Sequence, residues 1–193
     1  YTFAVMPVLG EHVIVSRTGY TGELGYEIYY PWGKAEKLWD ALLDDSRVRP
    51  TGLGVRDVLR IEVCYPLYGH ELSEEITPVE AGLGRFVDMS KDFIGKAALA
   101  ARQAGPGRRI IHFISDSRRA PRQGHEILLK DGPVIGEVVS GTFSPALGFG
   151  VGIGFIKKEF TGTAKDIIFG EEKLRLGARA ATRPFYKAGS LKN

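Results

Sequence analysis

The sequence predicts an α+β chain: a mixed α/β part up to about residue 104, then a small all-β barrel of jelly-roll type. Three observations predict it. Apolar residues at helical spacing fall before Gly105. Beyond Arg109, short apolar runs recur about every 8–12 residues, the spacing of a sandwich or small barrel. Gly105-Pro106-Gly107 stands between the two patterns and sets domains of 1–104 and 105–193.

Thr2–Val8, His12–Arg17 and Tyr26–Tyr30 read as strands. Gly19, Gly22 and Gly25 break the backbone between the second and third, giving a strand, a tight irregular turn and a returning strand. A helix follows over Ala35–Asp45, punctuated by Pro31 and Gly33, with Leu38 and Leu42 sharing its buried face at i, i+4. Pro50–Gly54 connects to a second helix over Gly54–Val63, which stops before Pro66. A strand near Gly84–Met89 comes next. The third helix covers Phe93–Ala104, with Ser90 or Asp92 as N-cap and Gly105-Pro106-Gly107 as its stop.

The β part consists of Arg109–Ser115, Glu126–Lys130, Val134–Ser140, Gly150–Ile156 and Asp166–Phe169, with Lys130-Asp131-Gly132-Pro133 as a hairpin turn. In Gly148–Gly154 glycines alternate with apolar residues. That is no dinucleotide fingerprint. On a strand it puts the glycines on one face, where a backbone or bulky side chain packs closely.

Composition bounds the function. The chain has 193 residues, 44% hydrophobic and 25% charged, which supports a folded core. Net charge is +3, and the densest basic spots are Arg118-Arg119 with Arg122, and Arg108-Arg109. No focused basic stripe argues for nucleic acid. The single Cys64 excludes an intrachain disulfide and a Cys-only metal site, and no obvious base activates it. His12, His70, His112 and His125 are dispersed without metal spacing. No apolar run reaches the ~18 residues of a membrane span.

Chemistry concentrates in two places. The run Ser16–Glu27 presents Tyr20, Glu23 and Glu27 on its turn, a setting for a planar ligand with paired N–H donors. The same run also reads as a hairpin whose glycines serve turn chemistry alone. In the second helix Val55, Val58, Leu59 and Val63 form the apolar stripe, Arg56 lies at its edge, and Arg60 points to the polar side. Arg56 can reach an anionic or carbonyl group of a ligand. Glu62 sits inside the stripe and reads as structural, needing an ionic partner or backbone amides.

Gly19-Tyr20-Thr21-Gly22-Glu23-Leu24-Gly25-Tyr26-Glu27 resembles the signature of the glycine cleavage system T-protein family, the tetrahydrofolate-dependent aminomethyltransferases. Gly54–Glu62 resembles its central Arg-Asp helix, and Pro66–Leu72 with Thr77–Leu83 its following loop. Asp92–Lys96 and Ser140–Pro145 complete the series in family order. The resemblance is to the second half of the family's members. It implies a partial folate-binding domain followed by the barrel. It also implies no catalytic residue in this chain, because the family's catalytic aspartate lies in the first half.

The cofactor implied is tetrahydrofolate, and the partner is lipoylated H-protein, whose arm carries the aminomethyl group. Glu27 would accept the 2-amino group and ring N–H of the pterin. Arg56 would meet another edge or the glutamyl tail, and Tyr20 would offer an aromatic face. Tyr65 lies at the spacing of another folate-contacting tyrosine, or is a core aromatic at a helix end. Lys192 falls where members place a basic ligand contact. A related folate-dependent demethylase, the folate domain of a dimethylglycine or sarcosine oxidase, and a non-catalytic folate-binding assembly factor are the alternatives. The last lacks support, because Cys64 has none of that branch's flanking pattern. The resemblance implies a cytoplasmic or organellar-matrix protein. The N-terminal strands look like part of a sheet whose other members lie in the unmatched half. An open apolar surface and a homodimer are therefore expected.

Overall fold

The computed structural model describes residues 1–105 and 107–192, the side chain of Lys192 excepted. The chain divides into two compact units, Tyr1–Arg60 with Ala188–Asn193, and Ile61–Lys187.

The first unit holds a three-stranded antiparallel sheet in the order β1 (Phe3–Val8), β2 (Glu11–Ser16), β3 (Glu27–Tyr29). Leu9 and Gly10 join β1 to β2 with φ of 49° and 88°, the left-handed pair a tight hairpin requires. Helix α1 spans Ala35–Leu43 and buries no residue. Leu38 is half-buried and Leu42 is 43% exposed, so the face expected to be buried is open. β1 likewise has no buried residue, and Phe3 is 73% exposed. The expected open apolar surface is there. Val13 on β2 is the buried apolar side chain of this unit among the described residues.

Helix α2 spans Leu53–Glu62. Its apolar stripe is covered only at the C-terminal end, where Ile61 is fully buried while Val55 is exposed. Arg60 departs from expectation. It is buried, and its Nε donates to Asp57 Oδ1 at 2.8 Å, which neutralises a guanidinium removed from water.

In the second unit the strand expected over Gly84–Met89 is absent. Gly84–Phe86 forms one 3-10 turn, because Phe86 N–H bonds to Leu83 O at 2.9 Å and Val87 N–H to Gly84 O at 3.0 Å. Donors spent locally cannot join a ladder. Helix α3 covers Lys96–Ala104 and starts later than expected. Its N-cap is Gly95 at φ 88°, not Ser90 or Asp92, and Ser90 bonds to Asp88 instead. Glu80 ties α3 to the first barrel strand. It accepts from Thr77 N–H at 2.8 Å and faces Arg102 at 3.7 Å and Arg108 at 3.6 Å. Burial alone would raise its pKa. The Thr77 hydrogen bonds and the two arginines outweigh that and hold the carboxyl below its ordinary value.

The remaining strands are β4 (Arg108–Ser115), β5 (Glu126–Leu129), β6 (Val134–Ser144), β7 (Phe149–Lys157), β8 (Asp166–Glu171) and β9 (Leu174–Ala180). They close into a six-stranded antiparallel barrel in the order β4-β7-β6-β5-β8-β9. Phe113, Ile127, Ile135, Val138, Ile156, Ile167 and Phe169 fill one core cluster. Ile61, Val139, Val151, Ile153, Phe155 and Phe185 form a second. Of the alternating glycines, Gly150, Gly152 and Gly154 in β7 behave as expected, whereas Gly148 precedes the strand at φ 78° with nothing within 4 Å of a Cβ placed there. A Cβ on Gly152 would enter the Phe113 ring, one on Gly154 would lie 2.5 Å from Ile127 Cδ1, and one on Gly150 would meet Arg119 O. Glu62 is buried, as expected, but the Ser144 hydroxyl donates to its Oε1 where an ionic partner or backbone amides were expected.

Candidate functional site

The turn between β2 and β3 is positioned from both ends. Ser16 and Glu27 are register partners across the two strands. Ser16 Oγ lies 2.7 Å from Thr18 Oγ1, and Thr18 Oγ1 donates to the carboxylate of Glu27. A side chain at the mouth of the turn is thereby fixed by a hydroxyl inside it. Glu27 is otherwise exposed, so it can accept further hydrogen bonds from outside.

Tyr20, at the tip, is stacked by Arg56 of α2, with the guanidinium carbon 4.9 Å from the ring centroid. Such a contact contributes about 0.5–1 kcal/mol at an exposed site. It also holds an arginine head and a phenol side by side in one surface. The first unit therefore brings Tyr20 and Arg56 together and orients Glu27 through Thr18. Tyr65 is half-buried and belongs to the second unit. The Lys192 side chain lies outside the described residues.

Glu23, which the sequence offers as a second ligand carboxylate, is engaged elsewhere. Ser190 N–H donates to Glu23 Oε2 at 2.8 Å, the Ser190 hydroxyl donates to the same oxygen, and Leu24 N–H donates to Ser190 Oγ at 2.9 Å. The Ser190 hydroxyl first, and its backbone N–H second, hold the Glu23 carboxyl below its ordinary pKa. Sequence reasoning missed this pairing, since 167 residues separate the partners. Its one trace is the small Gly189-Ser190 pair near the C-terminus.

A cavity of about 360 Å³ adjoins the turn, lined by Thr18, Gly19, Glu23, Leu24 and Gly25 together with Arg17, Tyr1, Thr2 and Leu191. Among the described residues no cluster of three or more His, Cys, Asp or Glu is placed to hold a metal ion, and no helix is long and apolar enough to cross a membrane.

Known proteins resemble both parts of the chain. Residues 1–91 match the family described as the GCVT N-terminal domain, and residues 108–187 match the glycine cleavage T-protein C-terminal barrel domain. An aminomethyltransferase of Desulforamulus reducens is 41% identical over 192 residues, 97% of this chain and 52% of the relative. One from Natranaerobius thermophilus is 45% identical over 186 residues, 93% of this chain and 51% of the relative. The solved structure of the glycine cleavage system aminomethyltransferase T from Bartonella henselae superposes with a TM-score of 0.83 at 31% identity, covering 92% of this chain and 50% of that one. The chain spans about half the length of the curated relatives it matches. With a T-protein domain matched on each side of α3 and a solved T-protein sharing the fold, this chain belongs to the glycine cleavage T-protein family.

Proposed function

We propose that this chain supplies the tetrahydrofolate-binding part of an aminomethyltransferase of glycine cleavage, acting on an aminomethyl group delivered by the lipoyl arm of H-protein. The observation that carries the reading is the pairing of two preset contacts on one turn: Thr18 on Glu27, and Arg56 on Tyr20. A carboxylate held by one hydroxyl keeps acceptor capacity for the adjacent amino and ring N–H groups of a pterin. The guanidinium suits a carbonyl edge or a glutamyl carboxylate, and the phenol suits the face of an aromatic ring.

Bound tetrahydrofolate supplies the amine that receives the one-carbon unit. The residues of this chain bind and orient it, which lowers the barrier by fixing geometry rather than by moving a proton. No residue of the turn or of α2 is assigned an acid or base role, and residues 1–193 by themselves are expected to bind without transferring. The 1–104 and 105–193 limits are the domains of this reading, the first carrying the ligand and the second the barrel.

Calorimetry of the 193-residue chain with tetrahydrofolate tests it. Glu27→Gln replaces one acceptor oxygen by a donor facing donors. It should weaken binding about tenfold or more, the loss expected for a hydrogen bond to a charged group. Equal affinity of the variant and the parent chain would remove Glu27, and with it the pterin assignment.

A further inference from the structure

We propose that Ser190 and Glu23 form a clasp by which the C-terminal segment sets the geometry of the ligand turn, making both of them positioning residues for the Glu27 and Arg56 contacts. The inference rests on the folate reading for its ligand and on geometry alone for its mechanism.

A turn with Gly19, Gly22 and Gly25 has unusual backbone freedom, and Gly22 sits at φ 75°. Ordering it costs more entropy than ordering the same length of ordinary residues. Something must hold it if Tyr20 at its tip and Glu27 at its exit are to keep fixed positions. Thr18 holds the exit, and Arg56 caps the tip. The stretch between them, Glu23-Leu24, has no neighbour on its own strand ladder, since β2 ends at Ser16 and β3 begins at Glu27.

Ser190 fills that gap with both of its polar groups. Its hydroxyl accepts from Leu24 N–H and donates to Glu23, and its own N–H donates to the same carboxylate. The arrangement is reciprocal, like a helix capping box, but it joins the C-terminal segment to a turn near the start of the chain. The fit is close. A Cβ on Gly189 would lie 2.6 Å from Gly22 O, so the residue before Ser190 must be small for the hydroxyl to reach.

The clasp also shapes a space. Leu191, next to Ser190, lines the 360 Å³ cavity together with Glu23, Leu24 and Thr18. Thr18 is the residue that orients Glu27. The C-terminal segment thus lines the same cavity as the residue whose hydroxyl sets the ligand carboxylate. Releasing Ser190 should loosen the turn and, through it, both preset contacts.

The test uses the 193-residue chain and the variants Ser190→Ala, Ser190→Thr, Glu23→Ala and the Ser190→Ala/Glu23→Ala double. Amide hydrogen exchange is followed over residues 19–27, with β4 and β7 as internal controls. Tetrahydrofolate affinity is measured in parallel. Ser190→Ala removes both hydrogen bonds of the hydroxyl and should speed exchange in the turn about tenfold or more, leaving the barrel strands unchanged. Tetrahydrofolate affinity should fall several-fold. Ser190→Thr, which keeps the hydroxyl, should restore both, and the double variant, which loses all three bonds where each single one loses two, should fall short of the sum of the single effects. Unchanged exchange over residues 19–27 in Ser190→Ala overturns the clasp. So does faster exchange with unmoved affinity, because the turn would then not set the ligand contacts. A parent chain that binds no tetrahydrofolate refutes the folate reading instead, and the exchange result still decides whether Ser190 holds the turn.

Discussion

Lowering the pH should destabilise the barrel through His112. The residue lies on β4, 8% exposed, with its ring at 6.0 Å from that of Phe185 in an edge contact. Burial chiefly, and the nearby positive charge of Arg183 second, push its pKa down from 6.5 to about 4. The unfolded chain therefore takes up a proton near pH 6.5 that the native barrel refuses until about pH 4. Stability from this group is fully present above pH 6.5 and is lost as the pH falls toward 4. One pKa unit corresponds to about 1.4 kcal/mol, so the whole loss is about 3 kcal/mol, and about 2 kcal/mol of it is gone by pH 5. Urea unfolding followed by far-UV circular dichroism at pH 7, 6 and 5 measures it, with His112→Gln as reference because its amide does not titrate. The stability of the parent relative to the variant should shrink steadily down this series. Parallel curves for the two proteins would mean that His112 is not held neutral by its surroundings, and the argument from burial would fail.

Two further outcomes follow from packing. Gly152→Ala should cost about 1–3 kcal/mol of barrel stability, because its methyl group would enter the Phe113 ring, whereas Gly162→Ala, with nothing within 4 Å, should be close to neutral; equal urea midpoints for the two variants would contradict the close-packed glycine face. The exposed apolar side chains of β1 should make the 193-residue chain bind a fluorescent apolar dye and sediment with a concentration-dependent mass, and replacing Phe3 and Val5 by Lys should reduce both; a monodisperse parent chain that binds no dye would show that this surface is inert.

Much of the fold was legible because local pattern and tertiary role agree. β1, β2, α2 and five of the barrel strands, β4 to β8, stand where alternation, glycine and proline place them. Each failure has its own physical cause. β9 reads Leu-Arg-Leu-Gly-Ala-Arg-Ala, and only Ala178 in it is buried, so its inward face carries too little apolar bulk to register as a strand. β6 continues past Ser140 to Ser144, where buried hydroxyls replace aliphatic residues. Gly84–Met89 had the composition of a strand but lost its donors to local carbonyls. Within the site, Tyr20, Glu27 and Arg56 could be picked out because they sit on short motifs. Ser190 could not, because its partner is 167 residues away and a single serine carries no periodicity.

The misreading of α1 and α2 is of another kind and says more about the molecule. Period 3.6 tells which side of a helix is apolar, not whether anything covers it. Leu38 and Leu42 on α1 share a face at the predicted spacing, and so do Val55 and Leu59 on α2, yet none of the four is buried. The barrel shows the opposite condition: its strands close on themselves, and Phe113, Ile127 and Phe169 are completely enclosed. A closed barrel needs no outside surface to satisfy its edges, whereas a three-stranded sheet with one buried apolar side chain has little to hold it together. The ligand contacts proposed above sit on the less self-sufficient unit. Their geometry must then come from specific polar links, such as Thr18 to Glu27 and Ser190 to Glu23, and not from a core beneath them. That makes the turn sensitive to single hydroxyl deletions that a well-packed scaffold would absorb.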